Sequence, residues 1–348
     1  MILLLTLIAC GNQNNPEDPE PQANDSEDID EQTEENDEQT EDIGKIITSL
    51  YPIEYIVSEI VGDFAEVETV MPPGADAHVY EPSTRQMIEL ADSDAFFYIG
   101  ETMEVFSDTM ANSLDSEGVH TFELAKFEEQ LFMDYGDEQV DDHHEDEHGD
   151  EDDHHHEDEH GHEEEENDDH DHEHGDYDPH FWLDPSRMIS AGDILLDELI
   201  TLYPNHEEVF RDNYEQFTDN MEELDTSFQE ALVNEEVNIL VAHAAFSYWE
   251  EAYGINQISI RGVSSSQEPS QRELQQLFET LEDLNIDHVI LESNRDDRLA
   301  ETVADEFNLD VYHLHNLETR TEENVEHGLD YMDIMRENLE VLIQTMED

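Results

Sequence analysis

The sequence predicts an α/β protein of two lobes, each a parallel sheet flanked by helices, joined by one long helix. Strand-like and helix-like segments alternate in short order between Lys45 and Gly100, and they alternate again between Val237 and Leu314. Because strands that alternate with helices pair in parallel, each region predicts its own sheet with helices on its faces. Between the two regions, residues 205–232 repeat apolar side chains every three or four positions without glycine or proline, which is typical of one amphipathic helix.

The chain begins with MILLLTLIACGNQ, an apolar run that ends at the only cysteine, Cys10. This run is too short to cross a bilayer core of ~30 Å, which needs about 20 residues. The four residues up to Cys10, LIAC, resemble the lipobox of bacterial lipoproteins, although no basic residue precedes the run as it does in most secretory signals. We therefore expect residues 1–10 to be a lipoprotein signal with a lipid on Cys10. Residues 11–43, which are rich in acids, Asn, Gln and Pro, are expected to form a disordered tether.

The first lobe is predicted over residues 44–204. Buried-strand patterns occur in KIITSLYPI (45–53), which ends in a turn, in EVETVM (66–71) and in AFFYIG (95–100). STRQMIELADS, between the last two, is predicted to be a helix because Ser83 and Gln86 fit a capping box at its start. In DPHFWLDPSRM, Asp184 followed by Pro185 predicts another helix start, with an N-cap and a proline at the first helical position.

A loop rich in histidine and acid is predicted within the first lobe, over residues 137–176. From 141 onward it contains only 21 acids, eleven histidines, three glycines and one asparagine, so it cannot bury enough apolar surface to offset the entropy of ordering. Imidazoles among carboxylates loosely hold divalent transition ions, and solvation alone does not require eleven of the chain's 20 histidines. The histidines predicted to capture metal are His143, His144, His148, His154, His155, His156, His160, His162, His170, His172 and His174.

Residues 205–232 are the predicted linking helix, which would run ~40 Å at 1.5 Å per residue and so extend beyond a single lobe. The second lobe is predicted over residues 233–348, where the strand patterns VNILVAH, INQISI, DHVILES and DVYHL alternate with helical segments. Ser270 and Glu273 fit a capping box at the start of one such helix. The crevice outside the carboxyl ends of the strands is the expected ligand site.

Acidic residues dominate the whole chain, with 97 Asp and Glu against 11 Lys and Arg and a net charge of -86. Such a field repels phosphate backbones and anionic headgroups and attracts cations, which argues against nucleic-acid binding. The excess persists outside the tether and the loop, and only two of the bases are lysines. This composition is typical of proteins adapted to high salt, where a short screening length weakens self-repulsion.

Three histidines outside the loop lie just after a predicted strand or in a turn before a helix: His78, His180 and His243. Each alone is typical of a structural histidine. Together, on a frame of two lobes, they suggest a metal site in the cleft. Their wide spacing in the sequence fits no compact zinc motif, so spacing alone leaves both interpretations open.

Five motifs carry a resemblance to a known family. They are MPPGADAHVYEPSTRQ, DPHFWLDPSRM, AHAAFSYWEEAYGI, SSQEPSQRELQQL and LHNLETRTEENVEHGLDYMDIMRENLEVL. In this order, from about Lys45 to Met346, they resemble the zinc and manganese substrate-binding proteins of ABC transporters, the cluster A-I family. The resemblance implies two α/β lobes joined by one rigid helix, with a metal held between the lobes by four side chains. Zinc-binding members also carry a His-rich acidic loop just before the second ligand, where the predicted loop stands here.

The four ligand positions of that family fall on His78, His180, His243 and Glu318. The fourth motif departs from the family, which usually has an acidic residue and a proline where this chain has His315 and Asn316. His315 is therefore an alternative to Glu318 as the fourth ligand. Glu292 and Glu81 also lie near the expected cleft, where we expect them to be solvated or to support a ligand.

The resemblance implies an extracytoplasmic, lipid-anchored receptor that captures Zn²⁺ and delivers it to an ABC permease. We expect a monomer that performs no covalent chemistry. Manganese uptake is the alternative within the family. A zinc hydrolase is an alternative of another class, since three histidines and a water can form a catalytic site, but the sequence has no HExxH helix and a fourth protein ligand would close the open position. A surface adhesin or a passive metal buffer is a further alternative.

Overall fold

The computed structural model describes residues 44–134, 177–233, 237–266, 268–284, 286–295 and 297–347. The predicted signal and tether, with Cys10, lie outside the described residues, and so do all eleven loop histidines. No helix in the described part of the chain is both long enough and apolar enough to cross a bilayer.

The first sheet contains four parallel strands in the order β2-β1-β3-β4. Its strands are β1 (Gly44–Thr48), β2 (Ala65–Thr69), β3 (Ala95–Tyr98) and β4 (His120–Glu123). The helices of this lobe are α1 (Tyr51–Val61), α2 (Thr84–Leu90), α3 (Ser107–Glu117) and α4 (Glu128–Leu131). All four residues of β3 are buried, as expected for a central strand of a parallel sheet. The capping box at α2 forms as predicted, with Ser83 and Gln86 exchanging hydrogen bonds.

The region after β1 differs from the sequence prediction. The pattern over residues 45–53 predicts a strand and then a turn, but β1 ends at Thr48 and the long helix α1 begins at Tyr51. Pro52 lies in the first turn of α1, where its missing N–H costs no hydrogen bond and its fixed φ favours the helix. The apolar run is buried in both elements, so hydrophobic periodicity does not reveal where one ends and the other begins.

A short antiparallel ladder leads the chain toward the second predicted histidine. It pairs β5 (Met133–Asp134) with β6 (Tyr177–Asp178), so described residues far apart in the sequence lie side by side. His180 follows β6 directly, and α5 (Pro185–Leu202) begins soon after it. The Asp184 carboxylate accepts a hydrogen bond from the Ser186 backbone N–H, which confirms the predicted N-cap.

The second sheet also contains four parallel strands, in the order β10-β9-β7-β8. Its strands are β7 (Asn238–His243), β8 (Asn256–Arg261), β9 (His288–Glu292) and β10 (Asp310–Leu314). The helices here are α7 (Ser247–Tyr253), α8 (Gln271–Leu284), α9 (Arg298–Phe307), α10 (Glu322–His327) and α11 (Tyr331–Glu347). The capping box at the start of α8 forms as predicted: the Glu273 carboxylate accepts from the Ser270 backbone N–H, and the Ser270 hydroxyl oxygen accepts from the Glu273 backbone N–H.

The linking helix is α6 (Glu207–Leu232), which contains 26 residues. It packs against α1 and α5 of the first lobe and against α7 and α11 of the second. Its buried face is the predicted apolar stripe, formed by Phe210, Phe217, Met221, Leu224, Phe228 and Leu232. Two parallel sheets flanked by helices and one long helix confirm the predicted fold class.

Candidate metal centre

Four side chains from distant parts of the chain converge where the two lobes meet. They are the four predicted ligands, His78, His180, His243 and Glu318, and all are buried. One nitrogen or oxygen from each lies within 4.8 Å of those of the others. The Glu318 Oε1 atom is 3.8 Å from His78 Nε2 and 3.7 Å from His180 Nε2.

The atoms that converge make no hydrogen bonds to the described protein. They are the Nε2 atoms of the three histidines and Oε1 of Glu318, each in a buried side chain. Buried polar atoms are nearly always hydrogen-bonded, so four unpaired atoms this close together need an explanation. A tetrahedral zinc ion with bonds of ~2.0–2.2 Å would space its ligands roughly 3.3–3.6 Å apart, so a contraction of at most about 1.5 Å would bring all four atoms into range.

His78 lies in the turn between β2 and α2, and neighbouring groups fix its backbone. Its N–H donates to Asp76 Oδ1 at 3.0 Å. The preceding N–H, of Ala77, donates to Glu318 Oε2 at 3.2 Å. The carboxylate of Glu318 therefore holds the turn with one oxygen and leaves the other facing the three imidazoles.

His180 is positioned by Asp178, the last residue of β6. One carboxylate oxygen, Asp178 Oδ1, accepts from the His180 backbone N–H at 2.9 Å and lies 2.7 Å from the ring Nδ1. The Tyr248 hydroxyl donates to the Asp178 backbone oxygen and so holds the backbone of this residue from the second lobe. Because Nδ1–H donates to the carboxylate, Nε2 is the nitrogen that faces the other three residues.

His243 is the last residue of β7, and Glu292 is the last residue of the neighbouring strand β9. The Glu292 carboxylate contacts His243 Nδ1 and fixes this ring in the same way as Asp178 fixes His180. Its other oxygen accepts from Asn316 Nδ2 at 3.0 Å. Both residues stand at the carboxyl ends of parallel strands, where ligands are expected in open α/β sheets.

Glu318 lies in the segment between β10 and α10. Asn316 Oδ1 accepts from the Glu318 backbone N–H at 3.2 Å, and the Asn316 backbone oxygen accepts from Trp182 Nε1 at 2.7 Å. Leu317 has a positive φ of 63°, a conformation that is rare outside glycine, and its N–H donates to His315 Nδ1. The residues that depart from the family pattern thus build the turn that presents Glu318.

His315, the alternative fourth ligand, lies outside the group of four. Its two ring nitrogens are both occupied: Nδ1 accepts from Leu317 N–H at 2.9 Å and Nε2 lies 3.0 Å from Asn324 Oδ1. The ring contributes to the wall of a separate cavity of about 620 Å³. Burial lowers the pKa of His315 to about 4, so it is neutral near pH 7.

His78, His180 and Glu318 have strongly shifted pKa values. Burial lowers the pKa of His78 to about 4. Burial alone would lower the pKa of His180. The charge and hydrogen bond of Asp178, together with those of Glu318, outweigh burial and raise the pKa of His180 to about 9. Burial would raise the pKa of Glu318, but its histidine neighbours, His180 first, lower it to about 2. At neutral pH the metal-free group therefore pairs an ionised Glu318 with a protonated His180.

Two other glutamates were expected near the cleft. Glu292 contacts the ring of His243, whereas Glu81 is exposed.

Two aspartates in the site, Asp76 and Asp178, were not predicted from the sequence. Each stands two residues before a clustered histidine, and each accepts a hydrogen bond from that histidine's backbone N–H. The repeated pattern Asp-x-His, in DAH and DPH, is the signal that could have identified them, because Asp commonly bonds the backbone two residues on.

Three imidazoles and one carboxylate form a donor set that suits zinc, which takes nitrogen and oxygen ligands in tetrahedral sites. Within the described residues, this is the group of His, Cys, Asp and Glu side chains whose ligand atoms come close enough to share an ion. Asp178 and Glu292 would orient two of the imidazoles and increase their basicity.

Comparison with known proteins places the chain in a family. Residues 46–345 match the family model described as zinc-uptake complex component A, periplasmic. The zinc-binding lipoprotein AdcA of Streptococcus pneumoniae is 31% identical over 303 residues, which cover 87% of this chain and 56% of AdcA. This chain thus spans little more than half the length of that relative.

Solved structures have the same fold. The Zn(II)-bound ZnuA-like domain of Streptococcus pneumoniae AdcA matches with a TM-score of 0.63 and 28% identity, over 87% of this chain and 99% of that one. The laminin binding protein Lmb of Streptococcus agalactiae, described as a bifunctional protein with adhesin and metal transporting activity, matches with a TM-score of 0.67 and 25% identity. That match covers 87% of this chain and 99% of Lmb. The chain belongs to the ZnuA family of zinc-uptake component A proteins.

Proposed function

We propose that this protein is an extracytoplasmic receptor that captures Zn²⁺ in the cleft between its lobes and delivers it to an ABC permease. The observation that carries this function is the convergence of four buried, unpaired ligand atoms from His78, His180, His243 and Glu318. Membership of a zinc-uptake family supports the same conclusion. Zinc is the cargo of such a protein and not a reagent in a reaction.

The donor set favours zinc over manganese. Mn²⁺ prefers hard oxygen ligands, whereas imidazole suits Zn²⁺, and three of the four proposed ligands are imidazoles. Zn²⁺ also stands above Mn²⁺ in the order of affinities for a given site. Manganese uptake is therefore the weaker alternative for this site.

A hydrolase is disfavoured by the same geometry. Catalytic zinc keeps one position open for water, but four converging protein ligands complete a tetrahedron. The two carboxylates nearest the imidazoles, Asp178 and Glu292, already accept bonds from ring nitrogens and are not free to act as a general base. We infer that the site binds and releases an ion without chemical change.

The proposed location is the outer face of the cell membrane, or the periplasm in a cell with two membranes. The lipobox-like sequence before Cys10 and the lipoprotein relative support attachment through a lipid on Cys10. Lipid attachment, a monomeric state and the permease partner are parts of the proposal. A mass spectrum of the protein from its own cells tests the first: an unmodified Cys10 in the mature protein would contradict it.

The test of the site is metal content after purification without added metal, followed by zinc titration of wild-type protein and two variants. Glu318→Ala should weaken tight zinc binding by at least about 100-fold, because it removes a ligand. His315→Ala should cost no more than about tenfold, through the turn that it supports. Loss of tight binding in His315→Ala with retention in Glu318→Ala would reverse our assignment, and wild-type protein without tight zinc would reject the proposed function.

Adhesion is a second candidate function, because Lmb, a structural neighbour, is described as both an adhesin and a metal transporter. A binding assay of the full chain on immobilised laminin, with and without zinc, tests it. Absence of saturable binding in both conditions would leave zinc capture as the single proposed function.

A further inference from the structure

Asp76 connects the first lobe to the second through one carboxylate. Its Oδ1 accepts from the His78 backbone N–H, within the first lobe. Its Oδ2 accepts from Ser265 Oγ at 2.9 Å and lies 2.8 Å from Arg295 Nη1. Ser265 follows β8 and Arg295 follows β9, so both partners belong to the second lobe.

Asp76 and Asp178 share a local motif but use it differently. Both accept from the backbone N–H of the histidine two residues later. Asp178 also contacts its own histidine ring, and it thereby orients His180. Asp76 instead directs its second oxygen across the cleft, so the position of His78 depends on the second lobe.

The rest of the His78 turn is also held by the second lobe. The Gly74 N–H donates to the Arg320 backbone oxygen at 2.9 Å, and Thr319 Oγ1 donates to the Ala75 backbone oxygen at 3.1 Å. These two contacts involve backbone groups close to Glu318. The contacts of Asp76 to Ser265 and Arg295 can be removed by a conservative side-chain substitution at residues that are not proposed ligands.

We propose that Asp76, Ser265 and Arg295 form an inter-lobe latch that holds His78 in the metal site and sets how long zinc stays bound. The latch rests on the proposed zinc-receptor function. Its contacts exist only when the lobes are together, so they slow opening and zinc release, while capture by the open protein does not depend on them. Asp76 is thus a positioning residue that acts through His78.

The latch should respond to salt. The side chains of Asp76 and Arg295 are 19% and 24% exposed, so ions in the solvent screen their attraction. Zinc release from wild-type protein should therefore become faster as ionic strength rises. The acidic field of the whole chain is also screened by salt, so a variant without the ion pair should keep that part of the dependence and show a smaller increase in release rate than wild type. A purely structural role in folding would not produce this difference.

The experiment measures zinc transfer from the full chain to an excess of chelator by stopped flow. Asp76→Asn keeps an oxygen for the His78 N–H but removes the charge, and Arg295→Gln removes the partner. Each should raise the rate of zinc release about tenfold and change the association rate by less than about threefold. The double variant should release zinc no faster than the faster single variant, because both remove the same interaction. Arg211→Gln, which removes an Arg–Glu pair with an N–O distance of 2.9 Å within α6, is the matched control and should release zinc like wild type.

The outcomes separate the two proposals. If wild-type protein takes up no zinc, both the proposed function and the latch are overturned. If it binds zinc tightly but Asp76→Asn and Arg295→Gln release zinc at the wild-type rate, the latch alone is overturned. Additive effects in the double variant, or a salt dependence of zinc release in Arg295→Gln as large as in wild type and Arg211→Gln, would also overturn the latch.

Discussion

His180 should lose a proton when zinc binds. Asp178 helps to raise its pKa to about 9, so the metal-free site carries a proton below that pH and zinc must displace it. Zinc affinity should therefore rise by about tenfold per pH unit between about pH 7 and 9 and then become constant. Titration calorimetry in buffers of different ionisation enthalpy should detect about one proton released per zinc near pH 7.5. Asp178→Asn should lower the pKa of His180 and reduce this release, and equal release by both proteins would contradict the assigned charge state.

His243 should determine the choice between zinc and manganese. His243→Glu leaves two imidazoles and two carboxylates, a harder donor set, so the ratio of zinc to manganese affinity should fall by at least about tenfold. The new carboxylate would face Glu292, which now contacts His243 Nδ1, and their repulsion would weaken the metal-free site. The double variant His243→Glu/Glu292→Gln removes that repulsion and is the matched comparison. Competition titrations that find an unchanged ratio in both variants would show that His243 is not a ligand.

The sequence predicts the four clustered residues of the candidate site better than the residues that hydrogen-bond to them and hold them in place. The residues that converge are the four named from the resemblance, but their spacing in the sequence could not show this, since folding brings them together from distant segments. The support of Glu318 by Asn316 was unpredictable, because it depends on a turn with Leu317 at positive φ. Asp76 offered a local signal, yet its second contact depends on how the lobes meet, which no local pattern encodes.

At the scale of elements, α5 and α6 approach closely at Gly192. A Cβ atom added there would lie 2.9 Å from Tyr214 Cε2 and 3.0 Å from Phe217 Cε1, both on α6. Phe217 is fully buried and the Tyr214 hydroxyl donates to the Ile189 backbone oxygen, so neither ring can move aside easily.

Gly192→Ala should therefore lower the free energy of unfolding by about 1–3 kcal/mol through overpacking, although alanine ordinarily favours a helix by about 1 kcal/mol over glycine. Asp193→Ala, at the next and exposed position of α5, gains the same type of helix preference without a clash and serves as the control. Denaturant unfolding of both variants measures the difference. A Gly192→Ala protein as stable as Asp193→Ala would show that the side chains of α6 move aside and relieve the clash.

The predictions of secondary structure agree with the structure where they depend on residues close together in the sequence. The capping boxes at α2 and α8 and the Asp184 cap of α5 confirm their predictions, because each depends on residues within one helical turn. The start of α1 was missed because its apolar residues are buried just like those of β1. The spacing of apolar residues identifies a helix or a strand when one face is exposed and the other is buried. An element buried on all sides has apolar residues throughout, so their spacing does not show which type it is.

At the scale of the whole molecule, the charge complicates any measurement of zinc. With 97 acids against 11 bases, the surface attracts Zn²⁺ at low ionic strength without any specific site. In about 1 M salt the screening length falls to about 3 Å, so attraction by the overall field is suppressed while direct coordination by buried groups persists. Titrations that are meant to count sites should therefore be made at high salt.

Under those conditions we predict one tight site and several weak ones. The four clustered side chains are largely preorganised by the fold, whereas we expect the segment 141–176, which lies outside the described residues, to require ordering around each ion. Deleting 141–176 should abolish the weak class in a calorimetric titration and leave the tight site unchanged. Because the deletion also removes 21 acids, a variant with the eleven histidines replaced by glutamine is the control for charge. If weak zinc binding disappears on deletion but survives the glutamine replacement, the carboxylates of the segment are responsible for it. If weak zinc binding survives both changes, it occurs elsewhere on the acidic surface.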